Sequence, residues 1–542
     1  MKFLLVGINS KYIHSNPALY SLKAYTQKKH PNTVFIREFT INNPFDYILE
    51  EIYSELPDAI GISCYIWNIS LVKRLIVELN KLLPDVEIYL GGPEVTYCAK
   101  DYLDNYPFLN GIFIGEGEET FLDLLDTFSY MEDPDFTDSF GDTIESIAFE
   151  VPGLMTHEGD YIPRERADFN SMPFIYSDKM LNEDFEHRII YYESQRGCPF
   201  SCSYCLSSID KGMRFRSLTK VKNEIQFFLD RKVPQVKFID RTFNCSSVRT
   251  LELLEYLRDN DNGVTNFHFE IAADILTPEE IAVLQDLRPG YVQLEIGVQT
   301  TNLQTLKAIN RPCKLNVLND NVKMLLKNHN LHIHLDLIAG LPYEDLDSFI
   351  NSFNDVYNMN PNQLQLGFLK VLKGTDIDLH QAEYGLNHEE EPPYEVLSTN
   401  WISYLELRML KRVEEMVELY HNSAQFVTTV PLLCKYFKTP FELYKALADH
   451  YEKHNYFVMS PKRFRKYEIL LEFAEEMIEL NKERALNIPS LEDIRSALTF
   501  DYYLRENPKS KPDFVRELPT VTFDYEHRDP ITQNATYYTT VS

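Results

Sequence analysis

Short apolar runs alternate with amphipathic stretches twice along this chain, and that alternation most constrains its fold. In the first block, up to about residue 125, MKFLLVG, TVFIREF, DAIGIS, VEIYLGG and GIFIGEG read as strands, several ending in glycine. Between them, NISLVKRLIVELNKLLPD places Ile69, Val72, Leu75, Ile76, Leu79 and Leu83 at helical spacing. Strands separated by helices predict a parallel sheet covered on both faces, with ligands beyond the carboxyl ends of the strands. Two glycine loops fall at that edge: Gly91-Gly92-Pro93, and Gly115-Glu116-Gly117-Glu118.

A second block starts near residue 189, with IIYYESQ, QVKFID, NFHFEI, YVQLEIG, HIHLDLI and QLQLGFL as strands. Six strand–helix units predict an open, partial (β/α)6 TIM-like barrel, whose chemistry collects at the carboxyl ends of its strands. Between the blocks, residues 131–185 read as a connector, with a strand pair near SIAFE and YIPRE. After about 375 the strand signal fades, and WISYLELRMLKRVEEMVELY and YEILLEFAEEMIELNKERA are helical by period. The division is therefore 1–130, 131–185, 186–375 and 376–542, the last a mainly helical domain with a weakly periodic tail. No metal or nucleophile motif stands out in it.

The bulk numbers restrict the function class. A chain of 542 residues divides into two or three domains. Its formal charge of −29 lacks the basic footprint of a nucleic-acid binder. That favours a small-molecule or peptide substrate. No apolar run is long enough to span a bilayer, and the N-terminus reads as a first strand, which together predict a cytoplasmic protein.

Of eight cysteines, three cluster in RGCPFSCSYC as Cys198, Cys202 and Cys205. The cluster follows the first strand of the second block, at the end where barrel chemistry lies. C-x3-C-x2-C is not zinc-finger spacing, although Cys245 is an available fourth ligand for zinc. Alternatively, three thiolates can hold three irons of a [4Fe–4S] cluster and leave the fourth iron open.

In this motif, with Tyr204 before its last cysteine, the chain resembles the radical S-adenosylmethionine (radical SAM) enzymes. The resemblance implies that S-adenosylmethionine chelates the open iron and that the reduced cluster cleaves it to a 5′-deoxyadenosyl radical. Later strands resemble the coproporphyrinogen oxidase branch. They imply ribose contacts from Glu270 and Gln299, a methionine-carboxylate contact from Arg311, and cofactor contacts from Asp336 and Gly340. The glycine-rich segment expected after the second strand reads FIDRTFN instead. Asp240 stands there as a candidate for the methionine ammonium.

LGGPEVTY with GIFIGEGEETFLDLL resembles the cobalamin-binding domain that precedes the barrel in one large radical SAM class. This implies a Rossmann-like domain over 1–130, with Gly91, Gly92, Gly115 and Gly117 near cobalamin. The D-x-H-x-x-G loop that gives cobalt a histidine is absent. INSKYIHSNPAL takes its place, and its His14 reads as a loop hydrogen-bonder. The C-terminal region resembles a fused domain of unknown function, which is expected to cap the barrel mouth.

The resemblance implies a cobalamin-dependent enzyme that methylates an unactivated carbon and is reduced by a reductase, flavodoxin or ferredoxin. The alternatives are a radical cyclisation or rearrangement without methyl transfer, an Elp3-like RNA modifier, and a non-catalytic cobalamin or redox sensor.

Overall fold

The structure is a computed structural model describing residues 1–131, 151–209, 211–480, 489–506, 512, 515, 522–528 and 535–540. Its first sheet contains β1 (Phe3–Asn9), β2 (Val34–Thr40), β3 (Ala59–Ser63), β4 (Glu87–Gly91), β5 (Gly111–Phe113) and β6 (Leu154–Met155), in the order β2-β1-β3-β4-β5-β6. All seven residues of β1 are buried, as a central strand covered on both faces requires. The Ile69–Leu82 helix buries Ile69, Val72, Leu75, Ile76 and Leu79 against this sheet. Leu83 falls at its C-cap.

β6 is antiparallel to β5 and comes from the segment read as a connector. The expected strand pair is not formed there: YIPRE has no strand, and SIAFE lies outside the described residues. Instead, Gly153 donates its N–H to Ile162 O at 2.8 Å in a loop.

The second sheet has β7 (Ile190–Tyr192), then β10 (Gln235–Phe238), β11 (Asn266–Ile271), β12 (Val292–Gln299), β13 (His332–Ala339) and β14 (Gln363–Phe368). β8 (Gln195–Arg196) and β9 (Arg214–Phe215) form a separate pair that brackets the cysteine loop. The six long strands pair in chain order, all parallel, and β14 does not close onto β7. This is the open (β/α)6 barrel. Along β13, Ile333, Leu335 and Leu337 are buried under the helices, while His332, His334 and Asp336 alternate onto the interior face.

The C-terminal helices Tyr404–Val417, Pro440–Lys453 and Leu491–Arg505 share one continuous hydrophobic core with the barrel. They also manage its open edge: the Asn422 side chain accepts from Leu364 N and donates to Leu364 O, both at 2.9 Å. Those two bonds satisfy β14 backbone groups that a seventh strand would otherwise pair. The expected tail contains an antiparallel pair, β17 (Thr522–Arg528) and β18 (Ala535–Thr540), after the short β15 (Asn387–His388) and β16 (Val396–Ser398). No helix among the described residues is long and apolar enough to cross a membrane.

Candidate active site

The cysteine loop leaves β7 and is anchored from three directions. Ser203 N donates to Ile309 O, Asn310 Nδ2 to Ser201 O, and Ile377 N to Ser203 O, each at 2.9 Å. Gly197 has φ +93° and lies against the Gly212 carbonyl, so no side chain fits just ahead of Cys198. Cys202 is buried, while Cys198 and Cys205 are half-buried. Among the described residues, the only group with three ligand atoms within 4.8 Å of one another lies elsewhere, so these sulfurs do not converge on a single-ion point. A zinc site with Cys245 is not the arrangement formed. The Cys245 thiol instead donates to Gln195 Oε1 at 3.5 Å.

Around the loop stand the groups named from later strands. Arg311 Nη1 donates to Cys202 Sγ at 3.5 Å, and its Nη2 to the Gly297 carbonyl. Tyr204 hydrogen-bonds the Cys202 thiol beside Arg311. Gln299 has φ +73° at a β-bulge in β12. Among the described residues, three buried polar atoms here have no partner: Gln299 Oε1, Arg311 Nε and Asp336 Oδ1. Buried polar atoms are normally hydrogen-bonded, so three orphans, at the end of β12, in the segment that follows it and within β13, mark a place for a polar ligand. Burial, then the charges of Glu295 and Glu270, push Asp336 up to about 8. Burial and Glu295 likewise raise Glu270, against the pull of Arg241.

Asp240 takes a different place from the one expected. It is fully buried, and Oδ1 accepts from Ser194 N at 2.7 Å and Gln195 N at 3.1 Å, while Oδ2 accepts from Ser194 Oγ at 2.5 Å. With those bonds made, it braces the start of the cysteine loop and does not face an ammonium. Gly340, at φ +87°, has Val396, Leu369 and Leu407 as its nearest neighbours, an apolar wall unsuited to a polar cofactor contact.

The N-terminal glycines also divide. A side chain at Gly92, φ +116°, would run into the Cys64 carbonyl, and one at Gly117 would meet Leu22 at 3.1 Å. Gly91 sits 3.3 Å from Phe113 by the same measure. These three serve chain packing. Gly115, at φ +80°, opens onto free space. Beside it, the carboxyl edge of the first sheet exposes Tyr12, Ile13, Trp67 and Tyr97, an apolar rim suited to a large flat ligand. Tyr65 stacks on Trp67 at 4.4 Å.

Sequence reasoning missed two features. Glu116 and Glu118 of the GEGE loop bind the arginines that flank the cysteine loop. Arg196 meets Glu118 at 2.6 Å and Glu116 at 3.2 Å, and Arg214 meets Glu116. The barrel interior also carries a polar array: Glu295 accepts from Lys237 at 3.2 Å and pairs with His268 at 3.0 Å. Burial opposes ionisation of Glu295, but these partners outweigh it and hold the carboxyl at about 2. Alternation in HIHLDLI and its neighbours was a visible signal for that polar face; the cross-domain ion pairs left none.

A radical SAM superfamily model matches residues 192–356, and a B12 binding domain model matches residues 4–125. The chain carries a radical SAM domain behind a B12-binding domain. Residues 382–542 match a protein of unknown function (DUF4080). The 2-(S-pantetheinyl)-carbapenam-3-carboxylate methyltransferase of Streptantibioticus cattleyicolor is 26% identical over 349 residues, covering 61% of this chain and 50% of its own. The chain thus spans about half the length of the first curated relatives it matches. Among solved structures, the apo cobalamin-dependent S-adenosylmethionine radical enzyme OxsB has a TM-score of 0.61 at 14% identity, covering 93% of this chain and 83% of that one. The radical S-adenosylmethionine methyltransferase TsrM from Kitasatospora setae, with cobalamin and a [4Fe–4S] cluster bound, gives 0.58 at 15%, covering 73% and 82%. At these identities the likeness is one of fold.

The cofactors of a radical SAM protein with a B12-binding domain are a [4Fe–4S] cluster, S-adenosylmethionine and cobalamin. The residues present fit them. Three thiols leave one iron position open, the orphaned atoms of Gln299, Arg311 and Asp336 fit a polar cofactor beside it, and the rim at Gly115 fits a corrin.

Proposed function

We propose that the chain is a cobalamin-dependent radical SAM methyltransferase acting on an unactivated carbon. The observation that carries this reading is the pairing of the GEGE loop with the arginines that flank the cysteine loop: Arg196 meets Glu118 at 2.6 Å and Glu116 at 3.2 Å, and Arg214 meets Glu116. These pairs set the carboxyl edge of the B12-binding sheet beside the cluster loop, with the proposed cleft between them, as transfer between two cofactors requires. When bound, the cluster and S-adenosylmethionine supply a hydrogen-abstracting radical, and cobalamin carries the methyl group.

The chain's own side chains do the positioning. Cys198, Cys202 and Cys205 hold the cluster. Arg311 orients the cofactor carboxylate beside Cys202, Glu270 and Gln299 hold its ribose, and Asp336 adds a buried donor or acceptor. The domains bound on either side keep water from the cleft. A small-molecule or peptide substrate enters it, and a flavodoxin- or ferredoxin-type donor in the cytoplasm supplies the electron.

Anaerobic reconstitution tests the reading. It predicts about four irons per chain, a cobalamin spectrum, and 5′-deoxyadenosine on reduction. A metabolite extract incubated with methyl-deuterated S-adenosylmethionine then gains a labelled product. Iron and S-adenosylmethionine binding without cobalamin would overturn the methyl-transfer half. A second reading, ring closure, draws support from the anaerobic magnesium-protoporphyrin IX monomethyl ester cyclase of Rubrivivax gelatinosus, 23% identical over 343 residues. It predicts a product without added methyl mass.

A further inference from the structure

Away from the cleft, the C-terminal helices bring together three metal-binding side chains. His450 and His454 are one turn apart at the end of the Pro440–Lys453 helix, and Glu476 comes from the Arg463–Leu480 helix beside it. One ligand atom from each lies within 4.8 Å of the other two. We propose that His450, His454 and Glu476 bind a divalent cation of the zinc class and pin these two helices together.

Several details fit a metal site better than a plain ion pair. The His450 ring is buried, and its Nδ1 is 2.8 Å from Glu476 Oε2, so two ligands are already ordered side by side. His454 stands 4.5 Å from the His450 ring by centroids, and its side chain makes no hydrogen bond among the described residues. Tyr456 flanks it in a stacked arrangement at 5.4 Å, which limits where the ring can turn. An exposed His454 leaves the remaining coordination positions to water. Two imidazoles and one carboxylate are a donor set that zinc accepts with a fourth, exchangeable ligand.

The neighbouring charges decide how tightly. Glu472 is engaged by Tyr456 at 2.8 Å and Arg465 at 2.8 Å, so it is not a fourth ligand. Lys453 holds Glu476 Oε1 at 2.5 Å and leaves Oε2 for the cation. Its ammonium repels a nearby dication, so Lys453 sets an upper limit on affinity.

The test uses the full chain with Cys198, Cys202 and Cys205 changed to alanine, so that the cluster cysteines cannot take the metal. This makes the result independent of the proposed methyl transfer. After zinc loading and gel filtration, about one zinc per chain is expected. His454→Ala, an exposed position, should lower retention at least tenfold, and Lys453→Ala should raise affinity. Cobalt loading should give a visible spectrum that His454→Ala abolishes. No retained zinc, or zinc retained equally after both His454→Ala and Glu476→Gln, overturns the site.

Discussion

The Nδ1 of His14 lies 2.5 Å from the hydroxyl of Tyr191. This bond joins the loop after β1 to the first strand of the barrel. Burial, then Lys11 and Lys237, lower the His14 pKa, which keeps the ring neutral and able to accept the phenolic proton. Tyr191 is pushed up to about 12 by burial, so it remains the donor. The same junction carries Ile189 N to Ile13 O at 2.9 Å and Arg188 to Glu38 at 2.7 Å. His14 is thus a tie between domains, in the loop where a cobalt-ligating histidine would otherwise be sought. His14→Ala should leave the electron paramagnetic resonance spectrum of bound cob(II)alamin unchanged. Loss of nitrogen splitting in that variant would make His14 a cobalt ligand instead.

The second tie is Arg196 with Glu118. Both are largely buried, at 14% and 6% side-chain exposure. Burial works against ionised Glu118, but the Arg196 charge and hydrogen bond outweigh it and hold the carboxyl below its ordinary range. A depressed carboxyl stabilises the fold above its unfolded pKa, and that contribution fades as pH falls through the folded value. Arg196→Ala should therefore cost about 3–5 kcal/mol at neutral pH, and less in acid. Glu118→Gln should cost less than Arg196→Ala, because Arg196 retains Glu116 and Glu193. Denaturant unfolding across pH measures both.

These two ties mark where the sequence stops being legible. The long strands of both sheets could be read, because each is a local pattern of apolar residues. β6 could not, since the two residues Leu154–Met155 have no period. Cys198, Cys202 and Cys205 stand out by spacing, which on its own leaves zinc and an iron–sulfur cluster both open. Gln299 and Arg311 are named through the resemblance to the coproporphyrinogen oxidase branch, and both carry an orphaned buried atom. Asp240 was misread because its partners, Ser194 and Gln195, are set by the pairing of β7 with β10 and not by neighbouring sequence. In the GEGE loop the glycines drew attention as ligand contacts, while its glutamates form the cross-domain pairs. His450 and His454 lie close in sequence, but Glu476 joins them only through helix packing.

Asp240 offers a test of the brace it forms. Burial raises its pKa from 3.8 to about 7. The folded state therefore keeps a proton that the unfolded state loses, and stability from this group declines as pH rises from about 4 to about 7. Asp240→Asn keeps an acceptor for Ser194 N and Gln195 N, so iron loading should persist and that pH-dependent decline should shrink. Asp240→Ala leaves those N–H groups buried without partners, at about 1–3 kcal/mol each. Iron loading should then fall. Equal iron content in the two variants would show that the brace does not support the cluster loop.

Cys245 discriminates between the two metals that the cysteine motif allows. Its thiol donates to Gln195 near the cluster loop without joining the three clustered cysteines at a common point. Cys245→Ala should keep about four irons per chain after anaerobic reconstitution, with S-adenosylmethionine cleavage intact. Cys202→Ala should abolish both. Iron loss in Cys245→Ala would make it a cluster ligand.

Gln299 tests the cofactor edge without touching the cluster. Its backbone bulge aims a carbonyl oxygen that has no partner into the space beside Arg311. A ribose hydroxyl would donate to it, and such a bond contributes about 1 kcal/mol net. Gln299→Ala should weaken S-adenosylmethionine binding about fivefold to tenfold by calorimetry. Iron content and the cobalamin spectrum should not change, because among the described residues Gln299 bonds neither the cysteine loop nor the B12-binding edge. Unaltered affinity would place the ribose elsewhere. A parallel loss of iron would show that the bulge holds the cluster loop through Gly297 and Arg311, whose guanidinium spans both.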